Sequence, residues 1–472
     1  MRLCRAVVLA VLAVVAGEAG CRRDAGTNSA PAAEPTRGPG SRPVGERALN
    51  LILISLDTLR ADRLGCYGYQ RPTSPHLDAW SQGAVLFTRA ISLANETVAS
   101  HQGLFQSKLP SQAMGTESRT MLAGVLKAAG YRTAAFTGGG PMSVALGFGP
   151  GFQEFDEDNW SLSQSVPKAI PWLEKQVPAG GGAPFFLFLH TFDVHLPYNP
   201  PPPYDTMFFP EYDGPVTGPG TQEVLRKVRR IFEWASFQGQ FDVNERDRQK
   251  INALYDGGVA YLDAYLFRLF EALGRLKLTD RTMLVIFSDH GEEFWDHGSV
   301  LHAHTLYQEL LHVPLIIRVP GYERYSGRVS ELVSLIDVVP TILDALDIDP
   351  PDGLQGRSLL PAMRGEPFPP RPALSEGLAF GLDLQAIIHA DFKLIRYNHL
   401  PGRQTQLYYL AKDPQERHDL VGELVEMRER LAGLLDAQTS PLAAKVPHPL
   451  DRLPQGIDAK TLQRLRALGY VE

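Results

Sequence analysis

The chain has 472 residues, 44% hydrophobic and 21% charged, ordinary for a globular protein with one large α/β domain and a smaller appendage. A formal charge of -7 and a pI near 6.0 argue against nucleic acid as the main partner, which would favour a basic surface.

At the N-terminus, Arg2 and Arg5 precede an apolar run over 6–17, the order of charge and hydrophobicity found in a signal peptide. The run falls short of the roughly 20 residues a membrane-spanning helix needs. Ala19-Gly20-Cys21 supplies the small residues that precede the modified cysteine of a bacterial lipoprotein. Residues 1–21 therefore read as a signal peptide with Cys21 lipidated, a cleaved secretory peptide being the alternative. The protein is then expected in a bacterial envelope, in the periplasm or at the outer membrane, touching the membrane only through Cys21. Cys66 is the one cysteine beyond that segment, so no internal disulfide forms. With no Cys-His signature around it, Cys66 is expected to pack rather than react.

Residues 22–47, rich in Pro, Gly, Ala and Ser, read as a flexible tether. A catalytic domain is expected over 48–375 and a small C-terminal subdomain over 376–472. The run at 49–56 is continuously apolar, the texture of a strand covered on both faces of a parallel sheet. Asp57 follows it, where ligands gather in open α/β sheets. The same grammar repeats: a helix over 120–129 ended by Gly130, then strands at 131–136, 185–189, 282–287 and 313–319. A long helix is expected over 248–276, weakened at Gly257-Gly258. Beyond 376, short strands at 384–389, 392–397 and 406–410 and a helix over 421–434 predict a small antiparallel sheet with a helix. The Pro-rich stretch at 441–454 is expected to be extended. The fold class is thus α/β: a large, mostly parallel sheet sandwiched by helices, plus that small sheet and helix.

Asp57, Asp289 and His290 offer two carboxylates and an imidazole at strand ends, a donor set for a divalent cation. In Ser288-Asp289-His290-Gly291, adjacent Asp and His share a tight turn whose Gly lets backbone approach closely. His290, His297, His302 and His304 crowd one stretch, while His190 and His195 follow another buried strand. Asp193 and His195 point the same way in an extended segment, as partners for a substrate oxyanion or a second metal. Thr97 could also cap a helix over 98–105.

These residues lie within segments that together resemble the sulfatase branch of the alkaline phosphatase superfamily. The matching segments are LISLDTLRADRLGCYGY at 53–69, RPTSPHLDAWSQGAVLFTRA at 71–90, TVASHQGLFQSKLP at 97–110 and GYRTAAFTG at 130–138. They continue with FFLFLHTFDVHLPY at 185–198, TMLVIFSDHGEEFWDHG at 282–298, LYQELLHVPLIIRVPG at 306–321 and LIDVVPTILDAL at 335–346. LYYLAKDPQERHDL at 407–420 and the ending LQRLRALGYVE complete the set. The resemblance implies one divalent metal bound by Asp57, Asp289 and His290, with Thr97 as nucleophile and further ligand. It also implies that His195 contacts the substrate oxyanion or leaving group and that His302 and His304 face the site. A second metal, on Asp193, His195 and His302, is a further option.

Three departures bear on the chemistry. Sulfatases carry Cys or Ser in Cys/Ser-x-Pro-x-Arg and convert it to formylglycine; here the segment is Thr97-Val98-Ala99-Ser100-His101, and threonine cannot become that aldehyde. The acidic pair after the first strand is Asp57-Thr58, and His290 stands where many relatives have Asn, which favours manganese or zinc, with calcium also possible. The Lys-x-His after the second strand is replaced by Thr137-Gly138-Gly139-Gly140-Pro141. A formylglycine sulfate adduct collapses to the aldehyde, whereas a threonine adduct must be cleaved by an acceptor attacking the transferred group. Phosphoryl groups accept such attack readily. The expectation is a metal-dependent hydrolase of sulfuric or phosphoric esters working through a covalent Thr97 intermediate, with a small-molecule, glycan or lipid ester as substrate. Transfer of a phospho-headgroup to an envelope glycan or lipid, or a non-catalytic binding role, are the alternatives. His101 is expected to orient or pack, and His312, His389, His399, His418 and His448 to be surface or packing residues.

Overall fold

The computed structural model describes residues 48–114, 121–177, 182–221, 223–225, 243–400, 404–439, 448–450, 453 and 456–471. The expected signal peptide, Cys21, the tether and most of the Pro-rich stretch lie outside the described residues. Strands β1 (Asn50–Leu56), β2 (Val85–Phe87), β3 (Arg132–Phe136), β4 (Glu154–Asp156), β5 (Phe185–Thr191), β6 (Thr282–Phe287), β7 (Leu315–Arg318) and β8 (Gly327–Val329) form one sheet, ordered β8-β2-β7-β6-β1-β5-β3-β4. Only β7 runs against its neighbours; every other pair is parallel.

All seven residues of β1 are buried between β5 and β6, which is why its sequence is apolar without alternation. Ser55 lies opposite both His190 and Phe287, so the three central strands end flush. Asp57, Thr191 and Ser288 therefore emerge side by side at their carboxyl ends. One face of the sheet packs Ile52, Ile54 and Leu56 against α2 (Leu162–Lys175) and α3 (Glu245–Arg275). On the other, Ser55 meets His101 of α1 (Thr97–Gln106).

The expected strand at 313–319 is split at Pro314. His312–Val313 pairs with Ala90–Ile91 in a separate small sheet, and β7 joins the main one. The antiparallel sheet near the C-terminus has a strand that the sequence pattern missed: β9 (Ala373–Gly377) precedes β10 (Leu384–His389), β11 (Phe392–Tyr397) and β12 (Gln404–Tyr409). β9 runs across the boundary expected at 375/376. The helix expected over 421–434 begins four residues later, as α4 (Val425–Gln438), and packs on β10 and β11. A last helix, α5 (Ala459–Leu468), was not anticipated. Among the described residues, no helix is long and apolar enough to cross a membrane.

Candidate active site

Three strand ends and one helix N-terminus build the site. Asp57 follows β1, and the chain turns sharply through Thr58 (φ 59°), whose hydroxyl donates back to Asp57 O at 2.7 Å. Thr58 thus supplies no ligand atom, while its backbone N–H donates to Asp289 Oδ1 at 3.3 Å. After β6, the Ser288 hydroxyl ties its own turn, donating to His290 O at 2.6 Å and accepting from Leu59 N–H at 2.9 Å. A Cβ on Gly291 would sit 1.9 Å from Glu309 O, so that turn requires glycine.

Asp57, Asp289 and His290 are fully buried, with one donor atom of each lying within 4.8 Å of the others. His290 Nδ1–H donates to Gly291 O at 2.9 Å, which leaves Nε2 facing the carboxylates. Burial lowers the ring's pKa, but Asp289 and Asp57 raise it by more, so a cation would displace the Nε2 proton to take its lone pair. Nε2 lies 3.5 Å from Asp289 Oδ2 and 3.9 Å from Asp57 Oδ1. Each carboxylate has one oxygen fixed by protein donors and one without a hydrogen-bond partner. Asp57 Oδ2 accepts from Thr97 Oγ1 and His190 Nε2, and Asp289 Oδ1 from two backbone N–H groups; Asp57 Oδ1 and Asp289 Oδ2 have none. Two buried orphan oxygens and an imidazole nitrogen converging on one point fit a divalent cation. Burial, and then Asp289, push Asp57 well above the usual carboxylate range. Burial also raises Asp289, but His290, His101 and His190 together bring it below its ordinary value.

Thr97 opens α1, and its cap is Glu96, whose carboxylate accepts from Val98 N–H at 2.8 Å and Ala99 N–H at 2.6 Å. This corrects the expectation that Thr97 itself could cap the helix, and it leaves the threonine hydroxyl available. Thr97 Oγ1 donates to Asp57 Oδ2 at 3.1 Å, and it lies 3.4 Å from His290 Nε2 and 2.7 Å from the Tyr470 hydroxyl. His101, one turn along α1, donates from Nδ1 to Thr97 O and accepts at Nε2 from Ser55, both at 2.8 Å. Burial brings His101 and His190 down to about 4, so both rings are neutral at pH 7.

The other expected site residues divide. His195 donates from Nδ1 to Leu196 O, keeps Nε2 without a partner and packs 5.0 Å from the His302 ring; burial, and then His302, bring it down to about 3. His302 lies 4.6 Å from the His290 ring and is anchored on buried Glu292 at 2.8 Å. His304 turns to Glu293, also at 2.8 Å. Asp193 accepts from Leu162 N–H and Thr191 Oγ1 at the start of α2, away from the cation cluster. Among the described residues, Asp57, Asp289 and His290 are the one grouping with metal-ligand geometry. Cys66 is partly buried and its thiol is raised to about 12, first by burial, in keeping with a packing role.

The family model described as Sulfatase matches residues 49–348, more than half of the chain. The chain belongs to the sulfatase family. It is 28% identical to Arylsulfatase K of Bos taurus over 296 residues, covering 57% of this chain and 53% of that protein. It is also 28% identical to the multifunctional alkaline phosphatase superfamily protein PehA of Trinickia caryophylli, over 51% of this chain and 52% of that one. The chain thus spans about half the length of the curated relatives it matches. A crystal structure of the phosphonate monoester hydrolase of Agrobacterium radiobacter superposes with a TM-score of 0.68 at 24% identity, covering 83% of this chain and 95% of that one. Within this site, the sequence showed His190 without assigning it a role, which is to hold Asp57, and it passed over Glu96, which caps the Thr97 helix. It also passed over Tyr470, seen only as part of a matching C-terminal segment.

Proposed function

We propose that this chain hydrolyses phosphoric or phosphonic esters in preference to sulfuric esters, through a covalent Thr97 intermediate beside a divalent cation held by Asp57, Asp289 and His290. The observation that carries this reading is Thr97 Oγ1, released from capping and in contact with Asp57 and His290. The names of the 28%-identical relatives, an arylsulfatase and a multifunctional alkaline phosphatase superfamily protein, support ester hydrolysis in general. The preference within that class rests on threonine. When bound, the cation supplies charge that favours ionised Thr97 and steadies the oxygens of the transferred group. Two carboxylates, one imidazole and a hydroxyl favour manganese or zinc over calcium.

Thr97 passes its proton to Asp57 Oδ2, and Oγ1 attacks phosphorus as the ester oxygen departs and takes a proton from solvent. Water then attacks the adduct in line and loses its proton to solvent, and Asp57 Oδ2 returns its proton to Oγ1 as the Oγ1–phosphorus bond breaks. A threonine sulfate would have no second hydroxyl on its carbon and hence no collapse to a carbonyl. The protein is proposed to act after export, anchored through Cys21.

The test is a panel of aryl sulfate, phosphate monoester, phosphodiester and phosphonate monoester assayed with Mn, Zn or Ca. Phosphodiester or phosphonate turnover should exceed sulfate turnover, vanish on chelation, and fall by roughly 1000-fold or more in Thr97→Ala. Undiminished activity in Thr97→Ala, or aryl sulfate as the best substrate, would sink the proposal.

A further inference from the structure

The Tyr470 hydroxyl lies 2.7 Å from Thr97 Oγ1 and 3.4 Å from His302 Nε2, although 373 residues separate it from Thr97. Its delivery is built into the fold. Asp458 caps α5, accepting from Lys460 and Thr461 N–H, and Gly469 (φ 86°) ends the helix and turns the chain inward. Tyr470 N–H then donates to Leu465 O at 2.9 Å. Arg464 of α5 donates to Glu157 O and pairs with Asp158 at 2.7 Å. The last two glycines of the triple glycine that stands in place of Lys-x-His are the seat for this helix. A Cβ on Gly139 would lie 2.2 Å from Arg464 Nη1, and one on Gly140 3.3 Å from Leu468 Cδ1. Tyr470 and Thr97 are both buried, so the turn after α5 is one wall of the site.

We propose that Tyr470 is a catalytic residue, delivered by the C-terminal helix to donate a hydrogen bond first to Thr97 Oγ1 and then to an oxygen of the transferred group. This rests on reading Thr97 as the nucleophile. Thr97 gives its own proton to Asp57 Oδ2, so the proton in the 2.7 Å contact is the phenol's. His302 directs Nδ1–H to Glu292, and its Nε2 lies 3.4 Å from the phenol against 2.7 Å for Thr97 Oγ1, so the single phenol proton goes to the nearer Thr97. Of the three side chains in contact with Thr97 Oγ1, Asp57 and His290 are the proposed cation ligands, and Tyr470 is the remaining one, with a proton to donate. A donor held in a buried site where negative charge gathers acts on the transition state more than on the bound ester.

Tyr470→Phe removes the hydroxyl and keeps the ring. The expected result is a kcat lower by roughly 100-fold or more, with a smaller change in KM and with Tm and bound metal unchanged. Orthovanadate, a mimic of the transferred group, should bind the metal-loaded variant correspondingly more weakly by calorimetry. Arg464→Ala, which loosens the seat, should slow the wild type but add little in the Tyr470→Phe background, because both act through one hydroxyl. If no ester is turned over by the wild type, the hydrolase reading has failed by itself, and vanadate affinity still decides the role of Tyr470. Turnover and vanadate affinity within about twofold of wild type in Tyr470→Phe, additive effects of the two substitutions, or no vanadate binding to the wild type would overturn the proposal.

Discussion

His297 has two acceptors, one at each ring nitrogen: Glu309 Oε1 at 2.7 Å and Glu416 O at 3.1 Å. Neither a carboxylate nor a carbonyl donates, so the geometry holds the doubly protonated ring, stacked on Tyr307 at 3.6 Å. Burial lowers its pKa, but Glu309 and the Glu416 carbonyl raise it by more, and the net shift is upward. A raised histidine contributes stability that is whole below its unfolded value of about 6.5 and is lost as pH climbs through the folded value. His297→Gln should therefore lower Tm by more at pH 6 than at pH 9.5, whereas an equal loss at both pH values would show a neutral ring. The same scale explains which site residues the sequence disclosed. Asp57 follows its apolar run directly and Asp289-His290 follow theirs after Ser288, so strand recognition and donor chemistry together picked them out. His190 stood in view after another such run, but only the sheet register, with His190 opposite Ser55, turns it onto Asp57. Glu96 adjoins Thr97, but glutamate is not among the favoured helix caps, and nothing local to Tyr470 tells of Thr97.

At the scale of the element, α3 runs unbroken through Gly257-Gly258, where helix propensity predicted weakness. The glycines are there because the neighbouring segment crosses the helix at contact distance. A Cβ on Gly257 would fall 2.2 Å from Tyr204 O and one on Gly258 2.8 Å from Asp193 O. Propensity is a weak prior beside such contact, and it cannot be read without knowing what packs there. Gly257→Ala should gain about 1 kcal/mol of propensity but lose about 1–3 kcal/mol or more to overpacking against backbone that cannot rotate away. Gly274, with nothing within 4 Å of its Cβ position, is the control. Gly274→Ala should raise the midpoint of denaturant unfolding, and Gly257→Ala should lower it; a gain at both would remove the packing explanation. The strands were legible for the converse reason: a buried parallel strand needs apolar residues on both faces, and that pattern is written locally. β9 ends in Ser375-Glu376-Gly377, and Glu376 accepts from Ser111 N–H and Oγ, so polar contacts hide that strand from a reading of apolarity.

At the scale of the whole molecule, distant parts of the chain meet the active site at Tyr470 and also at His448. His448 Nδ1 accepts from Leu450 N–H at 3.2 Å, so Nε2 carries the proton donated to Glu96 Oε1 at 2.9 Å. Both side chains are fully buried. Burial raises Glu96, but His448 and the α1 amides bring it below its ordinary value, so it stays ionised as the cap of the Thr97 helix. A cap 352 residues from its supporting imidazole makes the orientation of Thr97, the proposed nucleophile, depend on the segment around His448 being in place. Removing a hydrogen bond to a buried charge costs about 1.5–3 kcal/mol, and His448→Ala should lose at least that in denaturant unfolding. Glu96→Gln removes the charge that makes the loss severe, so the double variant should be less destabilised than the two single losses added. A coupling of about 0.5–3 kcal/mol is expected for groups in contact. In activity, His448→Ala should lower kcat with bound metal unchanged, because the cap lies beside Thr97 rather than among the proposed cation ligands. Additive stabilities, or loss of metal together with activity, would show that the end of the chain supports the fold in general and not the helix that presents Thr97.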